Sequence, residues 1–590
     1  MKKSTFFLLL VLAGCTQPPL EKAQEDKPQA PIEERFPRFA KSRETHEAFA
    51  GKYMIAAEGE ATARAAKKMF ELGGNAIDAA VAASFAIGVE QPESTGIGGG
   101  GFMLIYFARN KQATAVDFRE KAPRKATEKM YQDEKGGVVP GLSTDGALAS
   151  GVPGMVKGVL EIQEHYGKLT RQQVMAPAIE LADEGVPVRH HLAVSLEEQQ
   201  TLLAKYPATA AIFLHSDGTP LKEGEVLIQK DLARTLRAIS DKGADIFYTG
   251  IIAKLIVKEE QRIKGLIALS DLARYHTSYR HPVSGKWHDY RIYSMPPPSS
   301  GGIHILEILN ILENDKLAQL GRGSPEAIHL TASAMQIAFK DRAQFLGDPD
   351  FVKVPMSGLI SKGYAWSRRE EILPGVAAHP KTVKDGDPWH HETHESHESN
   401  DTTHFSIMDS EGNTVASTQT INGAMGSGVV IPETGILMNN EMDDFSAKPG
   451  VANMFGVIGG KENAILGDKR PLSSMAPTII TKNDKAILAL GSPSGPRIIT
   501  CVAHTILNYL EYKMPLFESL ASLRYHHQWL PDELVVEPPG FPPGADYALK
   551  QMGYIIKVKE VPCRVEAVAM EDGKLHGVAD PRSDGLAIGD

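Results

Sequence analysis

The sequence predicts a large mixed α/β protein in which antiparallel strands and helices form layers, and three observations carry that reading. Two segments read as β-hairpins: residues 102–119, where a clear strand over Phe102 to Phe107 turns near Asn110 into a second, and residues 403–421, which alternate apolar and polar residues around a turn at Asp409–Asn413. A long stretch, 150–285, reads as mostly helical. The chain has 590 residues, 42% hydrophobic and 23% charged, which is soluble and globular in character and too long for one simple core. Two or more domains, or one large layered unit, follow. A net charge of −10 argues against a nucleic-acid partner. The sequence has no P-loop, no Gly-x-Gly-x-x-Gly opening a helix, no Cys-x-x-Cys pair and no internal repeat.

In chain order, Lys2 and Lys3 precede an apolar run, Phe6 to Ala13, too short to span a bilayer as a helix. Leu12-Ala13-Gly14-Cys15 follows and resembles a bacterial lipobox, whose cysteine is lipid-modified after signal cleavage. A buried-core role for Cys15 fits poorly beside Thr16-Gln17-Pro18-Pro19, and Thr16 favours the outer membrane of a Gram-negative cell, on the periplasmic side. Residues 1–15 are thus read as a signal, and 16–50, polar, charged and proline-bearing, as a disordered tether. Ala61 to Leu72 has helical periodicity and stops at Gly73-Gly74. Asn75 restarts a helix that runs to about Val89 and is apolar almost all round, as buried helices are. The glycines from Gly96 to Gly101 could bind phosphate, but no helix follows, so close backbone packing is the better reading. Pro296 to Gly302 is an irregular loop, with helix from Ile303 to Leu312. Cys501 reads as a small buried hydrophobe; spacing alone leaves a Cys501–Cys563 disulfide open.

From Asp385 to Asn400 the chain is polar, with His390, His391, His394 and His397. Such spacing could hold a metal, but a stretch this polar offers little to fix a ligand geometry, and a mobile tail is favoured. The composition then changes abruptly at Asp401-Thr402, where a strand begins. If the bond between them breaks, Thr402 gains a free α-amine beside its hydroxyl. An α-amine titrates near ~8 and can take the hydroxyl proton, so the pair is a complete nucleophile-and-base unit. In the hairpin that follows, pairing Asp409 with Asn413 sets Thr420 opposite Thr402, with Cβ atoms roughly 5 Å apart. A second hydroxyl there could orient the amine or the Thr402 side chain.

With these segments in place, the chain resembles γ-glutamyltranspeptidase, an N-terminal-nucleophile hydrolase, from about residue 52 to near the C-terminus. The residues that carry the likeness are Gly98-Gly99-Gly100-Gly101-Phe102-Met103, Asp117-Phe118-Arg119-Glu120, the Pro296–Gly302 loop, Glu398 to His404, Asn439 to Phe445, Arg470-Pro471-Leu472-Ser473-Ser474-Met475 and Gly491-Ser492-Pro493-Ser494-Gly495. The resemblance implies a four-layer αββα sandwich made as an inactive precursor. Autocleavage at Asp401-Thr402 would leave a large subunit, 51–401 after the tether, and a small catalytic subunit, 402–590. It implies no cofactor and no metal. Thr402 would attack a γ-glutamyl amide, glutathione by family default, and pass the acyl group to water, an amino acid or a dipeptide. The backbone N–H groups of Ser494 and Gly495 would form the oxyanion hole; the family pattern has Gly-Gly there, so Ser494 is a departure. Arg119, with Ser473 and Ser474, would hold the substrate α-carboxylate. Asp444, Glu441 and Asn422 would hold its α-ammonium. A lid from Pro449 to Gly460 would cover the site, with Phe455 where the family pattern has Tyr.

Two readings compete on the same fold: a β-lactam side-chain acylase of the glutaryl-cephalosporin type and a transferase acting on poly-γ-glutamate. A third, a non-catalytic surface lipoprotein, conflicts with Asp401-Thr402 and Thr420 all being present. Retention of Arg119, Asp444 and Ser473-Ser474 argues against the acylase.

Overall fold

The computed structural model describes residues 42–391 and 403–590. Cys15, Asp401 and Thr402 lie outside the described residues, as do His394 and His397. Fourteen strands build two sheets: β1 Glu47–Ala50, β2 Tyr53–Ala57, β3 Gly100–Phe107, β4 Gln112–Asp117, β5 Ser278–Arg280, β6 Val283–Trp287, β7 Tyr290–Ser294, β8 Thr403–Asp409, β9 Thr414–Thr420, β10 Thr478–Lys482, β11 Lys485–Gly491, β12 Glu566–Glu571, β13 Lys574–Val578 and β14 Leu586–Gly589. One sheet runs β1-β13-β12-β11-β10-β7-β6 and the other β14-β2-β8-β9-β3-β4-β5. Every neighbouring pair in both is antiparallel.

The sheets pack face to face over a core that includes Met54, Phe102, Leu104 and Met408 from one and Ile479, Ala489 and Val568 from the other. Each large apolar side chain fully withdrawn there contributes about 1.5–3 kcal/mol. Helices α1 Glu60–Glu71, α2 Ala76–Glu90, α3 Met155–Tyr166 and α4 Arg171–Glu184 cover the β8 sheet. Helices α5 Gly301–Leu312, α6 Pro325–Phe345, α7 Lys362–Arg369 and α8 Arg497–Ile506 cover the other. The layering is αββα, as the resemblance implied.

Local sequence explains the central pieces. Helix α2 opens with a reciprocal capping box: Asn75 Oδ1 accepts from the Asp78 N–H while Asp78 accepts from the Asn75 N–H. All fifteen of its residues are buried, which is what an all-round apolar helix requires. The glycine run leads into β3 because nothing larger fits. A methyl at Gly99 would fall 1.9 Å from the Thr420 carbonyl oxygen, and one at Gly98 2.1 Å from that of Leu437. The packing reading of those glycines therefore holds. The β8–β9 hairpin has the expected register, with Met408 opposite Thr414 and Thr403 opposite Gln419, closed by Asp409 N–H to Asn413 O at 3.1 Å.

Two points differ from or go beyond the sequence reading. Residues 43–50, assigned to the tether by composition, form a helical turn and the edge strand β1 on β13. Phe49 stacks on His576, and the His576 ring bonds Glu47, so a segment too short and polar to read as a strand is held by its neighbour. Cys501 and Cys563 are joined in a disulfide that closes a separation of 62 residues, a constraint of about 4 kcal/mol on the unfolded chain in the loop-entropy account.

Candidate active site

The site lies where the start of β8 in one sheet meets the end of β11 in the other. Gly491 makes that approach possible, since a methyl there would fall 2.3 Å from the ring of His404. His404 is buried; burial pulls its imidazole down to about 3, so it is neutral. Its nitrogens bond Thr418 Oγ1 at 2.8 Å and Ser406 Oγ at 3.0 Å, which fixes the ring beneath the strand. The β8 register ends, among the described residues, at Thr403 opposite Gln419, one step from Thr402 and Thr420. Thr420 is buried, and its Oγ1 accepts from the Asn422 N–H at 2.6 Å.

Beyond β11 the chain turns through Ser494 and Gly495 into α8. Ser494 sits at φ 105° and Gly495 at φ 56°. Serine thus adopts the backbone conformation that favours glycine, and the departure from Gly-Gly leaves the turn in place.

Arg119 is fully buried and follows β4. Its guanidinium bonds Glu441, reaches Asp444 Oδ2 at 2.6 Å and stands 3.8 Å from Glu120. Burial alone would lower its pKa, but the Glu441 and Asp444 carboxylates outweigh it and keep the group charged. Burial pushes Asp444 up to about 6 against the pull of Arg119, and Glu120 up to about 7. Three carboxyl groups crowd this guanidinium, and the charge of Arg342 also acts on Asp444. The residues expected to bind opposite ends of a zwitterion are thus paired with one another here.

The remaining expected binders flank this cluster. Asn422 lies at φ 74°, a left-handed conformation that Asn tolerates. Its Nδ2 donates to Asn440 O at 3.0 Å, while its Oδ1 is buried and makes no hydrogen bond within the protein. Ser473 and Ser474 are buried, and the Ser473 hydroxyl likewise has no protein partner. One orphaned acceptor and one orphaned hydroxyl suit an ammonium and a carboxylate respectively. The Pro449–Gly460 segment forms a small hairpin, with Gly450 N–H to Gly459 O at 3.0 Å. Asn453 Nδ2 donates to Asp444 Oδ1 at 3.4 Å, and the Met454 sulfur lies 3.8 Å from Asn422 Nδ2, so the hairpin covers the cluster.

Several supporting residues were not singled out from sequence. Asn439 uses its whole side chain to tie Gly98, Gly151 and the Glu441 N–H together. Asn463 joins Asp444 O to the Leu472 N–H, which docks the carboxylates beside the serine pair. Arg342 Nε donates to Ser300 Oγ at 2.9 Å, and Ser300 Oγ donates to Ser473 O at 2.7 Å. Asn439 stood within a quoted motif; Asn463 and Arg342 had no local signal.

Comparison with known proteins agrees with this architecture. The sequence pattern of the family described as Gamma-glutamyltranspeptidase matches residues 62–590. The glutathione hydrolase proenzyme of Escherichia coli (strain K12) is 45% identical over 520 residues, 88% of either chain. Among solved structures, γ-glutamyltranspeptidase from Helicobacter pylori is 43% identical, with a TM-score of 0.55 over 57% of this chain and 96% of its own. Cephalosporin acylase from Bacillus halodurans is 26% identical, with a TM-score of 0.81 over 96% of this chain and 99% of its own. The fold is that of the N-terminal-nucleophile hydrolases, and the chain belongs to the γ-glutamyltranspeptidase family.

Proposed function

We propose that the protein is a glutathione hydrolase and γ-glutamyltransferase, cut at Asp401-Thr402 into a large and a small subunit. Thr402 Oγ attacks the γ-glutamyl carbonyl and its own α-amine takes the proton. The oxyanion faces the Ser494 and Gly495 N–H groups, a contribution of about 2.7–4 kcal/mol per donor in such sites. The C–N bond then breaks, the leaving amine takes the proton back, and a γ-glutamyl ester remains on Thr402. Water or an acceptor amine resolves it.

The observation that carries this reading is the buried Arg119–Glu441–Asp444 cluster, with the orphaned Asn422 Oδ1 and Ser473 Oγ beside it. A γ-glutamyl head brings one carboxylate and one ammonium, and can take over both halves of that pairing. An acylase for glutaryl side chains has no ammonium to place there, which disfavours that alternative. The test has two parts. N-terminal sequencing of the small chain should begin Thr-Thr-His-Phe-Ser, and γ-glutamyl-p-nitroanilide should be turned over far faster than glutaryl-p-nitroanilide. A different start, or preference for the glutaryl compound, refutes the assignment.

For its location, the proposal is the periplasmic side of a bacterial envelope, lipid-anchored through Cys15. The lipobox-like sequence supports it, and the Cys501–Cys563 disulfide suits an oxidising compartment. Cys15→Ser should release the protein from membranes; continued membrane fractionation refutes the anchor.

A further inference from the structure

Thr403, next in the chain to the proposed nucleophile, begins β8 before that strand has its full set of neighbours. On one side it pairs with Gln419, but pairing with β2 starts only at Phe405 and Ala57. Side chains occupy that gap. The Thr403 hydroxyl lies 3.0 Å from Glu58 Oε2 and 3.3 Å from Gln91 Oε1, and its single proton goes to the carboxylate, the stronger acceptor. Gln91 Nε2 donates to the Glu58 main-chain oxygen at 3.2 Å. Glu58 directly follows β2, is 2% exposed, and pairs through its other oxygen with Arg564 Nε. The Arg564 main-chain N–H in turn donates to Ser492 Oγ at 3.2 Å, two residues before the oxyanion turn. Its neighbour Cys563 is bonded to Cys501 on α8, the helix that this turn opens.

We infer that Thr403, Glu58 and Arg564 form a latch that sets the nucleophile strand against the oxyanion turn, and that the Thr403 hydroxyl and Glu58 are positioning residues for the reaction. The inference rests on Thr402 as nucleophile. Each contact in the chain is buried or nearly so, and it crosses from one sheet to the other where the two halves of the site must stay in register. Cutting the chain before Thr402 removes its covalent restraint on one side, which leaves the first residue of β8 dependent on β9 and on this latch. An ångström of play between nucleophile and oxyanion donors costs on the order of 100-fold in rate.

The experiment compares Thr403→Val, which keeps shape and loses the hydroxyl, with Thr403→Ser, which keeps the hydroxyl. Self-cleavage is followed on denaturing gels, and kcat and KM are measured with γ-glutamyl-p-nitroanilide on the cleaved fraction. The expected result for Thr403→Val is slower cleavage and a kcat lower by about tenfold or more, with KM within about twofold; Thr403→Ser should recover most of kcat. A wild-type kcat in Thr403→Val, or a loss that Thr403→Ser does not recover, overturns the latch. Should Thr403→Val not fold, Glu58→Gln, which keeps an acceptor for Thr403 but gives up the charge on Arg564, is held to the same kcat-specific loss. A small chain that does not start at Thr402 in the unmutated protein refutes the nucleophile assignment instead, independently of either variant.

Discussion

Replacing Asp444 by asparagine isolates the charge that, in the proposed function, the Arg119–Glu441–Asp444 cluster offers to an ammonium. The side chain keeps its shape, and Arg119 keeps its bond to Glu441, so the fold retains a partner for the buried guanidinium. What disappears is one carboxylate, 2% exposed, with Oδ2 2.6 Å from Arg119. A hydrogen bond to a charged group is worth about 1.5–3 kcal/mol, which at about 1.36 kcal/mol per decade is a loss of about 10- to 160-fold in kcat/KM. The assay runs two substrates in parallel, γ-glutamyl-p-nitroanilide and glutaryl-p-nitroanilide, at a pH above the Asp444 titration. The second lacks only the α-ammonium. Asp444→Asn should lose the full factor on the first, chiefly in KM, and change by no more than about threefold on the second, a shift under ~0.7 kcal/mol. Equal losses on both mean that Asp444 supports the structure and does not read the ammonium, and the head-group argument fails.

Thr402→Ala should remain a single uncut, inactive chain, because the proposed cleavage and catalysis use the same Oγ; two bands on a denaturing gel refute this. Ser494→Gly relieves a strained φ of 105°, a cost of about 1–3 kcal/mol partly offset by about 0.4–1 kcal/mol of added unfolded-state freedom. It should therefore resist urea better while kcat stays within about twofold, since the N–H donor is unchanged; a large fall in kcat assigns the serine side chain a role. Burial holds Asp444 at about 6, so its charged form is lost as pH falls through that value, and kcat/KM for γ-glutamyl substrates should fall with it. A profile flat across that region removes Asp444 from substrate binding.

The elements nearest the chemistry were legible because their signals are local. The Asp409–Asn413 turn fixes the hairpin register, and the glycine run declares a place where backbones touch. The pairing of Arg119 with Asp444 was not legible: the two stand 325 residues apart and meet only because the segment just after β4 lies against the turn bearing Asp444. The Arg342–Ser300–Ser473 chain escaped for the same reason, since an arginine inside a long helix gives no sign of what it touches. The disulfide needed the folded geometry to bring α8 beside residue 563. Edge strand β1 was missed because four residues among charged neighbours carry too little period-two pattern.

In the second sheet β14, β8 and β9 come from beyond residue 402, while β2 and β3 come from before it, and β8 lies directly against β2 as β9 does against β3. In the first sheet β1 closes one edge and β6 and β7 the other around four strands of later sequence. Cleavage ahead of β8 therefore makes two polypeptides without making two separable bodies. Pulling them apart means unzipping both sheets through their interiors, so the cut protein should melt as one unit, at a temperature that rises with its concentration because unfolding releases two chains, and the halves expressed as separate genes should not reassemble by simple mixing.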